Sequence, residues 1–110
     1  MKSVETTTVK IYLGLREGHT DKVHNLDEVK DFLQDYVNKS GLCITISPTS
    51  FIYRGGREEG IIIGLINYLR FPTQLKKLEQ IAEEIASLCK EKYNPKRVSI
   101  EYQDRTIMLE

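Results

Sequence analysis

The sequence contains no tryptophan, only three prolines and two cysteines in 110 residues, and no apolar run long enough to cross a bilayer as a helix. Two cysteines far apart, with no Cys-x-x-Cys pair, exclude a disulfide framework and leave Cys43 and Cys89 to be read as free, reduced thiols. There is no excess of charge of either sign. Sixteen Lys and Arg face sixteen Asp and Glu, which argues against binding nucleic acid or a membrane surface through bulk charge. The opening stretch, residues 1–10, lacks the apolar core of a secretory signal, and the end of the chain carries no cysteine for prenylation. A cytoplasmic location is expected. Neither glycine-rich phosphate fingerprint occurs, so no nucleotide cofactor is expected.

What is present is alternation and helical spacing. Residues 8–15 alternate strictly, with Val9, Ile11, Leu13 and Leu15 on one face and Lys10 and Tyr12 on the other, as a half-buried strand requires. Asn25 and Glu28 form an Asn-x-x-Glu helix start, Leu26 through Val37 carry a helical apolar stripe, and Gly41 is the expected left-handed stop. Leu42, Ile44 and Ile46 begin a second strand that Pro48 assigns to a sheet edge. Phe51 to Tyr53 continue it toward a turn at 54–57, after which residues 60–68 are apolar on both faces. Thr73 is expected to cap a long helix that Asn94 and Pro95 end; Val98, Ile100 and Tyr102 then alternate, and 106–109 suit a short last strand.

This order, βαββαβ, resembles the ferredoxin-like split βαβ arrangement, an α+β two-layer sandwich with two helices on one face of an antiparallel sheet. The expected domains are a flexible tail, 1–7, and a single unit, 8–110. A right-handed crossover makes strands one and two parallel, with strand three between them. Such a fold hosts many unrelated functions and decides none of them.

The topology brings three connections to one end of the unit, 16–24, 54–59 and 93–97. Arg54, Gly55, Gly56 and Arg57, together with Lys96 and Arg97, are therefore an anion-binding candidate, because guanidinium forks beside glycine amides suit phosphate or carboxylate. His19, Asp21 and His24 are the weak metal candidates. Their spacing in a loop fixes no coordination geometry, so no metal is expected. Tyr12 sits where RNA-recognition domains stack a base, but strand three offers Ile61 to Gly64 where two aromatics are needed, so nucleic acid is not an expected partner. Tyr12, Cys43, Ile62, Ile66 and Tyr68 fall on the face away from the helices, an apolar strip that a second copy of the chain would cover, which gives the expectation of a homodimer.

No nucleophile stands beside a base, and no catalytic residue is assigned. The expectation is a binding or regulatory interaction module, self-associating through its sheet and able to take a protein partner or a small anion. The alternative is a small enzyme or anion-binding protein that uses the loop end carrying His19, Arg54 and Arg57, with His19 or His24 as acid or base.

Overall fold

The computed structural model describes residues 1–68 and 72–110. Strand β1 (Thr8–Gly14) is followed by helix α1 (Leu26–Ser40), strands β2 (Ile44–Tyr53) and β3 (Gly56–Ile66), helix α2 (Leu75–Tyr93) and strands β4 (Val98–Glu101) and β5 (Thr106–Met108). The sheet order is β2-β3-β1-β4-β5, all neighbours antiparallel. Because β1 and β2 both run against β3, they are parallel to each other with β3 between them. The chain is thus the expected α+β sandwich, and 106–108 form a fifth strand.

Period-two burial makes the layers. Val9, Ile11 and Leu13 of β1, Ile61, Ile63 and Leu65 of β3, and Val98 and Ile100 of β4 are buried against Val29 and Leu33 of α1 and Leu78, Ala82, Ile85 and Cys89 of α2. Each such aliphatic side chain contributes about 1.5–3 kcal/mol on removal from water. Strand β2 lies at the sheet edge and runs straight through Pro48, which lacks the N–H that an inner strand would need.

Both helix starts differ from the sequence reading. Asn25 caps α1 by accepting from the Asp27 N–H at 2.7 Å, but Glu28 turns to His24 Nδ1 at 3.6 Å rather than back to the cap. Helix α2 begins after Gln74, which makes no side-chain cap; the Thr73 N–H instead donates to Asn67 Oδ1 at 2.6 Å, which holds Thr73 outside the helix. The helices end as expected, on Gly41 (φ 71°) and Asn94 (φ 46°). The segment read as a tail is tied down at its end: Thr7 O accepts from the Asn67 N–H at 2.9 Å, and Thr6 O and Glu5 O accept from the Gln103 and Asn67 side-chain amides. Among the described residues no helix is long and apolar enough to cross a membrane.

Candidate functional site

The three connections do meet at one end. Gly18 N–H donates to Asn94 O at 2.7 Å, Glu17 bridges Pro95, Leu15 N–H donates to Glu59 O at 3.0 Å, and Gly14 N–H donates to Arg97 O at 3.3 Å. Strand β3 extends past the end of β1 there, so the chain at Arg16 and Val23, itself bridged, runs beside its first half.

The sheet divides the expected anion group. Arg54 and Gly55 form the tight turn, Gly55 at φ 82° in the left-handed region where glycine is unstrained. On the face away from the helices the Tyr53 ring lies over Gly56, the Arg97 guanidinium lies 4.7 Å from that ring, and Lys96 Nζ lies 6.0 Å from it. Arg57 alternates to the other side and pairs with Glu59 at 3.8 Å. Arg97 and Lys96 therefore gather on an aromatic ring, with Arg57 outside that group.

The histidine loop does not converge either. His19 and Asp21 are exposed, whereas His24 is buried, its Nε2 3.0 Å from Tyr93 O and its ring edge-on to Tyr93 at 4.8 Å. A histidine so engaged is part of the core, which corrects its reading as a free acid or base. No cluster of three His, Cys, Asp or Glu side chains able to hold a metal occurs among the described residues.

The outer sheet face carries the features the sequence did not disclose. Gly14 pairs with Gly60, and this absence of side chains opens a depression on that face. Two neighbours fill it: the Phe51 ring lies over Gly60, and the Glu58 carboxylate lies over Gly14. Glu58 is only 4% exposed, and its Oε1 is buried without a hydrogen-bond partner. A buried carboxylate oxygen in that state normally costs a few kcal/mol. Beside it, Tyr12 stands edge-on to Phe51 at 6.4 Å and donates its hydroxyl hydrogen to Glu101 Oε1 at 2.9 Å. The hydrogen bond to Glu101, then burial, raises the Tyr12 hydroxyl above its ordinary value of 10, so it remains a phenol at neutral pH. The product is an aromatic strip, Tyr12, Phe51 and Tyr53, with a buried carboxylate in its middle.

Toward the opposite end of the same face lie the other residues read as an interface. Ile62 stands between Tyr12 and Ser47, Ile66 is exposed opposite Thr8, and Cys43 contacts Tyr68, whose hydroxyl is raised by burial and by that thiol. Both cysteines are free; Cys89 is buried and Cys43 half-buried.

No family model matches the sequence, and no curated protein matches it. Among solved structures, a phage SAM lyase in the apo state superimposes with a TM-score of 0.73 at 16% identity, covering 100% of this chain and 96% of that one. A phage SAM lyase in complex with S-methyl-5'-thioadenosine superimposes with a TM-score of 0.68 at 14% identity, covering 99% and 94%. The shared property is the fold, over essentially the whole of each chain. Both neighbours are enzymes, and this overturns the expectation of a protein-binding, regulatory module; the alternative reading, a small enzyme, is the one the comparison favours.

Proposed function

We propose that this chain is a lyase acting on S-adenosylmethionine, releasing S-methyl-5'-thioadenosine, and that it works in the cytoplasm. The observation that carries the proposal is the Glu58 carboxylate, buried with one oxygen unfilled, set among Tyr12, Phe51 and Tyr53 on the outer sheet face. The full-length likeness in fold to two SAM lyases supports it. S-adenosylmethionine offers an adenine to stack, a sulfonium that aromatic faces attract, and an α-ammonium that a buried carboxylate would hold.

Release of S-methyl-5'-thioadenosine breaks the bond between sulfur and Cγ of the methionyl chain. The electron pair of that bond passes to sulfur, which becomes a neutral thioether. With no water consumed, Cγ receives its new bond from within the molecule: the α-carboxylate oxygen closes a five-membered lactone. Charge balances without any proton transfer, because the sulfonium and the carboxylate neutralise each other. No general base is demanded, in keeping with a sequence that assembles no nucleophile and base. Two opposite charges vanish in the transition state, so a dry, aromatic surface favours it over the separated charges of the substrate. Holding the folded-back chain supplies the rest.

The same proposal keeps a second copy of the chain over Ile62 and Ile66, so that Ile66→Lys lowers the solution mass measured by light scattering. The test of the activity is direct. Purified protein incubated with S-adenosylmethionine yields S-methyl-5'-thioadenosine by liquid chromatography, and Glu58→Gln lowers the rate at least tenfold. A protein that folds and leaves S-adenosylmethionine intact overturns the proposal.

A further inference from the structure

Strand β2 opens the sheet order, so one of its sides pairs with β3 and the other, among the described residues, pairs with no strand. The register shows which backbone groups that free side carries. Leu15 N–H donates to Glu59 O, so the main chain of Glu59 turns toward β1 and that of Glu58, one residue earlier, turns toward β2. Glu58 stands opposite Phe51, and alternation back along β2 then aims Thr45 and Ser47 at β3 and Ile44, Ile46 and Pro48 outward. Pro48 fits this parity, because its missing N–H falls on the free side. The N–H and C=O groups of Ile44 and Ile46 are the ones left unpaired, and Pro48 ends the row of donors.

The side chains of the same two residues form one wall of a groove. Ile44 and Ile46 stand opposite the buried Leu65 and Ile63, hence on the helix face, yet both are only half-buried. Leu33 and Val37 of α1 line the facing wall, and the groove has a volume of about 490 Å³. One charged residue lines it. Lys30 lies on the same helical stripe as Leu33 and Val37, is exposed, and enters no ion pair among the described residues.

An unpaired strand edge beside an apolar groove is what strand addition uses: main-chain bonds along the edge give affinity, and alternate side chains in the groove give selectivity. We propose that the groove between β2 and α1 docks a short extended peptide segment of another protein. Its main chain pairs with Ile44 and Ile46, its aliphatic side chains at alternate positions enter between those residues and α1, and an acidic group meets Lys30. The lone cation favours an acidic segment over a neutral or basic one. The row that Pro48 cuts off keeps the paired stretch short. A free amphiphile would use the apolar walls and Lys30 but leave the strand edge unused. The groove lies on the helix side of the sheet, away from the aromatic strip on its outer face, so the inference goes beyond the activity proposed above and does not depend on it.

The test selects binders from a display library of random heptapeptides against the purified chain. It then measures the affinity of a fluorescein-labelled selected peptide by anisotropy. Enriched sequences are expected to alternate aliphatic residues and to carry an Asp or Glu. Methylating the peptide amides one at a time is expected to weaken binding about tenfold at every second position and to leave the positions between unchanged, as pairing with one strand edge requires. That readout acts on the peptide and needs no variant of the protein. Ile46→Arg is expected to abolish binding, and the surface change Lys30→Glu to weaken it about fivefold. No enrichment, loss on methylation without alternation, or binding indifferent to both variants overturns the proposal. An Ile46→Arg protein that folds but has a lower solution mass than the wild type shows that a second copy occupies the groove, which also overturns it.

Discussion

Tyr12 on β1 donates its hydroxyl hydrogen to Glu101 Oε1 on β4 at 2.9 Å, although 89 positions separate them in the chain. The two are diagonal neighbours, since Tyr12 stands opposite Ser99 and Lys10 opposite Glu101. A carboxylate that accepts from a phenol also opposes its ionisation. The Tyr12 hydroxyl therefore titrates above 10, and Glu101→Gln brings it down toward that value. The difference in tyrosinate absorbance between each protein and its Tyr12→Phe counterpart, followed against pH, reads the shift. Unchanged titration in Glu101→Gln would mean that burial alone sets it.

Gly14 and Gly60, paired across β1 and β3, are expected to respond differently to the same substitution. A methyl group at Gly60 would meet the Phe51 ring and the Leu13 carbonyl oxygen, and the backbone of a central strand cannot withdraw. Gly60→Ala should cost about 1–3 kcal/mol in urea unfolding. At Gly14 a methyl group meets only the Glu58 carboxylate, the far end of a flexible side chain, which can swing away. Gly14→Ala should therefore change stability by less than about 1 kcal/mol while lowering the rate of S-methyl-5'-thioadenosine formation through the displaced carboxylate. Full activity in Gly14→Ala would detach Glu58 from the reaction.

How much of this was legible in the sequence divides along local and non-local physics. Alternation at Val9, Ile11 and Leu13, the left-handed stop at Gly41 and the edge placement that Pro48 demands are properties of a few consecutive residues, and they led to the sandwich and to its buried face. The meeting of the three loops at one end followed from topology alone. The site depended on register. Nothing within residues 57–60 reveals that Glu58 lies over Gly14, because that requires Gly14 to stand opposite Gly60 and Phe51 opposite Glu58. Glu58 was thus readable only as a charge near a turn. Two glycines, one in each of two strands expected to pair, were the available sign that a larger neighbour would lie across them.

His24 shows the converse, a residue whose chemistry is visible in the sequence but whose environment is not. Its ring is buried edge-on to Tyr93, with Nε2 at Tyr93 O, and Tyr93 in turn stands edge-on to Phe32 at 5.7 Å. His24→Ala should destabilise the protein by about 2–4 kcal/mol, from lost packing and an orphaned carbonyl. Turnover per folded molecule should be unchanged at a temperature where the variant is folded. A variant of full stability and no activity would restore His24 to the reaction.

Alkaline stability tests the buried hydroxyls and the buried thiol together. Burial pushes the Cys89 thiol from 9.0 up to about 12, and burial first, with nearby charged groups second, pushes Tyr93 and Tyr102 from 10.0 to about 12. Each folded value lies above its unfolded value, so the unfolded chain releases these protons first as pH rises. The stability they contribute is complete below about pH 9 and is lost progressively as pH rises toward about 12. Chemical unfolding across that window should show a falling midpoint, and Cys89→Ala should delay the onset of the fall from near pH 9 to near pH 10. The same burial makes Cys89 unreactive at neutral pH. A disulfide reagent should modify Cys43 alone in the native protein and both thiols after unfolding, whereas two fast equivalents in the native state would show that Cys89 is open to solvent.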